Sequence, residues 1–321
     1  MDSLNRLSRM ERRSVMIFSA SRRTDIPRYY SDWLLHRLQA GTVLLQNPMN
    51  KTQINRLTFS PETVDCIVFW TKDAGPMLER LDELERLGYR SYLQFTLTPY
   101  GKELEKNLRD KKDITHTLLA VSKRLGAHRI HWRYDPIILN DTLIARWHEE
   151  QFTQLCQLLS PYVDGVTISF VDIYAKLRTD LVRPIHPDEM LRLGAALGRI
   201  ARQFGLSMFS CCEQVDMTSC DIQKGCCIDK TALEKVCGYP LFLKRDKNQR
   251  PGCGCYESVD IGAYNTCLSG CVYCYANHGP ESILRNTQSH NPHGELLTGN
   301  PPATVREKQA WSCHELQERL F

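Results

Sequence analysis

Short apolar stretches rich in β-branched and aromatic residues recur along the chain. Most of them are followed by polar turn residues and then by a segment in which apolar residues repeat every three or four positions, as in a helix buried on one side. The predicted strands are VMIFSA, VDCIVFW, YLQFTLT, RIHWRYD, GVTISFV, LSMFSCC and SVDIGAY, starting at Val15, Val64, Tyr92, Arg129, Gly165, Leu206 and Ser258. The pattern therefore predicts an α/β protein in which strands and helices alternate.

One segment interrupts this alternation after the first predicted helix. Residues 42–60, TVLLQNPMNKTQINRLTFS, contain two extended runs around Asn47-Pro48, which predicts an inserted hairpin. The main sheet then has eight strands if the first arm belongs to it and seven if it does not. Because the repeating unit is regular and fills a single-domain length, we expect a parallel (β/α) TIM-like barrel over residues 15–285.

The two ends of the chain differ from this central part. Residues 1–14 form a polar, arginine-containing arm, and residues 286–321 form a polar tail interrupted by prolines. We expect both to be loosely held. Inside the barrel region, residues 211–275 are rich in cysteine, and the connection from 217 to 252 contains one predicted helix, KTALEKVCG.

Composition and charge narrow the class of protein. The chain has 321 residues, of which 42% are hydrophobic, enough for one large core. Its formal net charge of +4 is small for this length and neither indicates nor excludes a nucleic-acid partner. No apolar run approaches the ~20 residues of a membrane span, and the first residues lack a secretory signal. We expect a cytoplasmic protein with no membrane partner.

The cysteines are unevenly distributed. Twelve of the fourteen follow residue 210, whereas Cys66 and Cys156 lie alone in apolar surroundings and are predicted to be buried core thiols. In a reducing compartment, clustered thiols more often bind metal or react than form disulfides. Metal chemistry is therefore expected in the C-terminal part.

Three cysteines lie close together in NTCLSGCVYCYA, residues 265–276. Cys267, Cys271 and Cys274 have the spacing C-x3-C-x2-C, and a tight loop of this kind can bind three irons of one iron–sulfur cluster, leaving one iron open. A structural zinc site needs a fourth ligand. Cys255 or His278 would supply it if this segment were a zinc knuckle.

The spacing, with aromatic Tyr273 before the last cysteine, resembles the signature of the radical S-adenosylmethionine enzymes. The resemblance implies that Cys267, Cys271 and Cys274 bind a 4Fe-4S cluster whose open iron binds S-adenosyl-L-methionine, and that Tyr273 packs near the adenine. It also implies reductive cleavage to a radical that abstracts hydrogen from a substrate, with an electron donor such as flavodoxin or ferredoxin. Members usually have this loop after the first barrel strand. Here it follows the last predicted strand, which implies a circularly permuted barrel.

A longer part of the chain resembles one uncharacterised prokaryotic family, a "domain of unknown function". The resemblance covers residues 15–285 and rests on SASRRTDIP, VDCIVFWTKD, YLQFTLTPYG, WRYDPIILND, KNQRPGCGC and SVDIGAYNTC. Its pattern implies one cysteine near FSCCE and one near GCCID, which match Cys211 and Cys227. With Cys253 and Cys255 they make four ligands, enough for a second 4Fe-4S cluster or a zinc site. The adjacent Cys212 and Cys226 leave each of the first two assignments open by one residue.

Polar residues at predicted strand ends are candidates for ligand binding, because active sites of barrels lie there. Arg22 and Arg23 follow the first strand and can bind a carboxylate by forked hydrogen bonds. Alternatively, Arg23 pairs with Asp25 at the rim. The other candidates are Lys72, Thr96, Arg133, Asp135, Ser169, Asp172 and Glu213.

Three functions are consistent with these observations. The leading one is a radical S-adenosylmethionine enzyme acting on a small-molecule or other unknown substrate. The second is a zinc-stabilised barrel that binds or hydrolyses a small molecule. The third is a nucleic-acid-directed repair lyase, in which basic residues contact phosphates. The basic candidates are Arg6, Arg9, Arg12, Arg13, Lys244, Arg245, Lys247 and Arg250.

Overall fold

The computed structural model describes residues 16–50, 52–174, 177, 180–250, 252–301 and 305–309. The predicted arm, 1–14, lies outside these residues, as does the tail beyond 309. The strands are β1 Ile17–Ala20, β2 Thr42–Gln46, β3 Ile54–Thr58, β4 Cys66–Thr71, β5 Ser91–Thr96, β6 Ile130–Ile137, β7 Val166–Phe170, β8 Met208–Cys211, β9 Ile222–Gly225, β10 Val259–Asp260 and β11 Arg306–Gln309. The helices are α1 Ile26–Tyr29, α2 Ser31–Ala40, α3 Gly75–Leu78, α4 Leu81–Arg86, α5 Lys111–Leu125, α6 Ala145–Leu159, α7 Pro187–Gln203, α8 Lys230–Cys237 and α9 Pro280–Gln288.

Eight strands form one large parallel sheet in the order β10-β1-β4-β5-β6-β7-β8-β9. All seven predicted strands contribute to it, although β10 comprises only two of the seven residues predicted there. The eighth strand is β9, which the sequence analysis placed in a connection. A mixed α/β fold with a parallel sheet is thus confirmed.

The two faces of the sheet have different partners. On one face, side chains such as Phe69, Phe95 and Trp132 belong to a core that includes the buried faces of α2, α5, α6 and α7. On the other face, Val68 and Tyr92 pack in a second cluster with residues of α8. Because the crossover helices share one face and α8 covers part of the other, the carboxyl ends of the strands are left to form a site.

The predicted hairpin is present but lies outside the main sheet. Strands β2 and β3 pair antiparallel, with Leu45 opposite Asn55, and β11 pairs parallel with β3 to form a separate three-stranded sheet. Neither arm therefore contributes to the strand count of the main sheet.

The described part of the C-terminal tail is not loosely held, contrary to expectation. Trp33 donates its indole N–H to the Gly294 carbonyl at 2.9 Å, and the Leu44 amide donates to the Glu295 carbonyl at 3.0 Å. Leu296 and Leu297 are buried. The polar composition misleads here because backbone carbonyls and two leucines, rather than an apolar run, anchor the segment.

The edge strands β9 and β10 are linked by neighbouring segments. Just after β9, the Cys227 amide donates to the Cys255 sulfur at 3.2 Å, and the Ile228 carbonyl accepts from the Tyr256 amide at 3.2 Å. The chain then continues directly into β10. Residues from the two edges of the sheet thus meet around these cysteines.

None of the helices in the described part of the chain combines the length and the apolar composition that a membrane span requires.

Candidate metal centre and active site

A cavity of about 460 Å³ lies at the carboxyl ends of the main-sheet strands. Its volume falls in the range of small-molecule sites, roughly 300–1,000 Å³. Its lining includes all the predicted metal-ligand and cofactor-binding residues: Cys211, Cys227, Cys253, Cys255, Cys267, Cys271, Cys274, Tyr273, Arg22 and Arg23. The structure also places Lys72, Thr96, Arg133, Asp135, Ser169 and Asp172 in the lining.

The loop with the first three cysteines is held by polar contacts along its length. Asn107 donates to the Leu268 carbonyl at 2.8 Å, and Asn277 donates to the Cys267 carbonyl at 2.8 Å. The Val272 amide donates to the Leu104 carbonyl at 3.0 Å. These contacts fix the backbone, so Cys267, Cys271 and Cys274 all reach the same cavity.

A buried carboxylate lies beneath this loop. Glu105 is 1% exposed and accepts from Lys72 Nζ at 2.8 Å and from Thr98 at 3.2 Å, as well as from Lys111 and the Tyr273 hydroxyl. Burial by itself would raise the pKa of Glu105, but the two lysines lower it to about 2. No motif marks Glu105 in the sequence, because it lies in a loop and its neighbours there show no regular spacing.

The first three thiols are poor acids in this environment. Burial raises the pKa of Cys267 to about 11, and burial also raises the pKa of Cys271, against which the nearby Lys72 ammonium acts. Thiolate is the form that binds metal. A bound cation would therefore displace these protons, as is usual for metal–cysteine sites.

The second cysteine group brings together three segments of the chain. The sulfurs of Cys211 and Cys227 are 3.4 Å apart, and Arg133 donates to the Cys227 sulfur at 3.1 Å. Hydrogen bonds from Cys211 and Cys255, together with Arg133, hold the pKa of Cys227 well below its usual range. Cys253 lies beside Cys255.

The structure distinguishes the members of one of the two adjacent cysteine pairs that the sequence left open, Cys226 and Cys227. The Cys226 thiol points to the Ile228 carbonyl at 3.4 Å and to Asp229 at 3.3 Å, away from the other cysteines of this group. Cys227 is thus the residue that contacts Cys211. Cys212 also lines the cavity and lies beside Arg250 and Cys253.

The two arginines after β1 have different environments. The Arg22 guanidinium stacks over the Trp70 ring at 5.3 Å, and its Nε and Nη2 atoms are buried without a hydrogen-bond partner. Arg23 lies 3.8 Å from Asp260 and over the Tyr264 ring. The alternative pairing of Arg23 with Asp25 does not form. Asp25 instead accepts from the backbone amides of Arg28 and Lys72 at 3.1 and 2.8 Å.

Asp260 organises the loop that carries these arginines. It accepts from the Ser19 and Ser21 hydroxyls at 2.8 and 2.7 Å and from the Arg22 and Gly262 amides, both at 3.0 Å. A Cβ atom at Gly262 would lie 2.2 Å from the Ser21 Oγ, so only glycine fits there. Ser19 lies in β1 and Ser21 directly follows it, so one carboxylate can accept from both hydroxyls.

The remaining strand-end candidates mostly pair with one another. Asp135 accepts from Arg133 and Ser169. Asp172 accepts from Arg250. Because Arg250 is engaged in this way at the cavity, it is not a free phosphate contact.

Glu213 differs from the other strand-end candidates because it holds backbone instead of lining the cavity. It accepts from the Phe170 amide at 2.7 Å, and burial raises its pKa to about 7.

Comparison with known proteins gives a family without an assigned activity. The family model described as "Domain of unknown function (DUF1848)" matches residues 17–276. The chain belongs to this family. The family resemblance seen in the sequence is therefore confirmed, and no curated protein matches the chain.

One solved structure is similar, "The crystal structure of HpcH/HpaI aldolase from Desulfitobacterium hafniense DCB-2". It shares 12% sequence identity and a TM-score of 0.24, and the match covers 69% of this chain and 88% of that chain. A similarity this low carries no conclusion about fold or activity.

The residues that would complete a zinc knuckle on the first group are engaged elsewhere. The exposed His278 contacts Asn265 and the edge of the Tyr264 ring, and Cys255 lies with Cys227. Within the described ranges, no three histidine, cysteine or carboxylate side chains are grouped so that they could hold a metal ion. The donors present are nevertheless eight thiols around one cavity, and thiolates are the ligands that soft metals and iron–sulfur clusters select.

Proposed function

We propose that the protein is a radical S-adenosylmethionine-type iron–sulfur enzyme in which Cys267, Cys271 and Cys274 bind a 4Fe-4S cluster. The observation that supports this most is that all three cysteines of one C-x3-C-x2-C loop line a single cavity at the strand ends. The donor set fits the group, because three soft ligands leave one iron of such a cluster open. When bound, the cluster would supply an iron that holds S-adenosyl-L-methionine and an electron, from a flavodoxin or ferredoxin, that cleaves it.

The protein's own residues would bind and orient the reactants. Arg23, which lines the cavity beside Arg22, has N–H groups that can donate to a carboxylate of S-adenosyl-L-methionine or of substrate. Lys72, held by Glu105, places a positive charge beside Cys271 and offsets part of the thiolate charge. The Tyr273 ring offers a stacking face near the adenine, with its hydroxyl fixed by Glu105.

We further propose that the parallel sheet is a circularly permuted (β/α) barrel. Two features support this: the crossover helices share one face of the sheet, and segments after β9 and before β10 contact each other. In a closed ring of strands, the order in which the strands occur along the chain can shift without changing the site.

Substitution of one ligand tests the proposal. Cys271→Ala, purified and reconstituted without air, should lose the iron and sulfide of one cluster and release no 5′-deoxyadenosine from S-adenosyl-L-methionine under reduction. Cys220→Ala is the matched control and should keep both, because Cys220 lies against the Leu191 carbonyl, away from the cavity. Full iron content and full cleavage in Cys271→Ala would refute the proposal. A colourless wild-type protein that contains only zinc would favour the zinc-stabilised barrel.

A further inference from the structure

A second group of thiols at the cavity is not needed for the proposed function. Cys211 ends β8, Cys227 follows β9, and Cys253 and Cys255 precede β10. The chain separations between contacting members are 16 and 28 residues. The fold therefore brings three separate segments of the chain together at these sulfurs. Proximity along the sequence does not account for the cluster.

The charge around this group matches a set of thiolates better than a set of thiols. Arg133 is buried at 6% exposure and donates to the Cys227 sulfur at 3.1 Å. Arg22 lies near Cys227, Cys253 and Cys255, and its Nε and Nη2 atoms are buried without acceptors. Buried N–H groups nearly always have a partner. A thiol sulfur is a weak acceptor, whereas a metal-bound thiolate or the sulfide of a cluster is a negatively charged, stronger one. Asp135 already pairs with Arg133, so the N–H atoms that lack an acceptor are those of Arg22.

We propose that Cys211, Cys227, Cys253 and Cys255 form a second, tetrathiolate metal centre, with Arg22 and Arg133 as its charge partners. On binding, each thiol loses its proton to solvent and forms a metal–sulfur bond, and its sulfur keeps its oxidation state. In this structure the thiols hydrogen-bond with one another instead of surrounding one point. Each sulfur can reach a different position by rotation about its Cα–Cβ bond, which would let four thiols surround one zinc. In a cluster each cysteine binds its own iron, so the four sulfurs need not surround a single point.

Metal content in the absence of the first group tests this centre. The variant Cys267→Ala/Cys271→Ala/Cys274→Ala should still bind metal after anaerobic reconstitution with iron(III), dithiothreitol and sulfide, or with zinc. We expect about four irons and four sulfides per chain for a cluster, or about one zinc for a mononuclear site. Either result supports the tetrathiolate centre, and the sulfide assay and absorption spectrum distinguish them.

The adjacent Cys226 and Cys227 provide a matched pair of substitutions, one outside and one inside the proposed ligand set. Adding Cys227→Ser to the triple variant should remove the remaining metal, whereas adding Cys226→Ser should not, because the Cys226 thiol points toward Asp229. Circular dichroism checks that the fold survives. If Cys227→Ser does not fold, Cys253→Ser serves instead, since Cys253 is only partly buried.

The outcomes separate this proposal from the proposed function. Only trace metal in the triple variant, or a Cys211–Cys227 disulfide with no metal in protein isolated without air, would overturn the second centre and leave the radical reaction untouched. Conversely, retained metal in the triple variant, combined with a wild type that never cleaves S-adenosyl-L-methionine, would support the second centre and overturn the proposed function.

Discussion

Neutralising Glu105 should destabilise the protein more than any comparable change in its loop. The carboxylate is 1% exposed and lies between Lys72 and Lys111. Glu105→Gln keeps the size of the side chain but leaves two partly buried ammonium groups without their anion. Removing one member of a buried ion pair typically costs about 3–5 kcal/mol. The lowered pKa gives a similar figure, since a change from 4.5 to about 2 corresponds to about 3 kcal/mol.

The loss is measurable by urea unfolding at neutral pH, followed by far-UV circular dichroism. Glu103→Gln is the control: this exposed carboxylate is two residues away and accepts only from the Gly101 amide, at 3.0 Å. It should change the free energy of unfolding by less than about 0.5 kcal/mol. The double variant Glu105→Gln/Lys111→Met should recover part of the loss, because one unpaired cation is gone. A Glu105→Gln variant as stable as Glu103→Gln would show that the lysines do not need this carboxylate.

Three further predictions concern other parts of the fold. Burial lowers the pKa of His148 to about 4, so the folded state favours the neutral ring. The free energy of unfolding should therefore decline by up to about 3 kcal/mol as pH falls from 6.5 to 4. Urea titrations across this range should show a much weaker dependence of that free energy on pH in His148→Gln. Asp260→Ala should cost about 2–4 kcal/mol in thermal or urea unfolding, because two hydroxyls and two amides lose their acceptor, and an unchanged midpoint would contradict the role given to Asp260. Burial raises the pKa of Cys156 to about 12, so iodoacetamide should label this thiol only after unfolding, as read by peptide mass spectrometry.

The sequence predicted those elements whose residues repeat with a clear period. Strands such as Cys66–Thr71 and Ile130–Ile137 bury almost every residue and were visible as apolar runs, and Cys66 and Cys156 are buried as predicted. Strand β9 was missed because only Ile222 of its four residues is buried. Edge strands need few apolar side chains, so their sequences resemble loops.

The candidate site was predictable from the sequence where the type of residue alone indicates what it can bind, as for cysteine and arginine. Clustered cysteines and arginines at strand ends indicated the cavity lining, which the structure then brought together. Asp260 and Trp70 could not be found in this way, because they contact Ser19 and Arg22, which are about 241 and 48 residues away along the chain. Glu105 could not be found either, because its spacing from Lys72 and Lys111 follows no motif. The choice of Cys227 over Cys226 likewise required the direction of the side chains.

The position of β10 has a consequence for how the chain is made. Strands β4 to β9 pair in chain order on one side of β1, whereas the strand on its other side, β10, is synthesised after all of them. Asp260, which accepts from the Ser19 hydroxyl, lies 241 residues after Ser19 in the chain. At roughly 5–20 residues per second, ribosomal synthesis leaves this interval at about 10–50 s. During that time the nascent chain exposes an unpaired strand edge, a surface prone to association with other chains. The cysteine loop at 265–276 follows every strand of the main sheet, so metal can bind there only after the whole sheet has been synthesised.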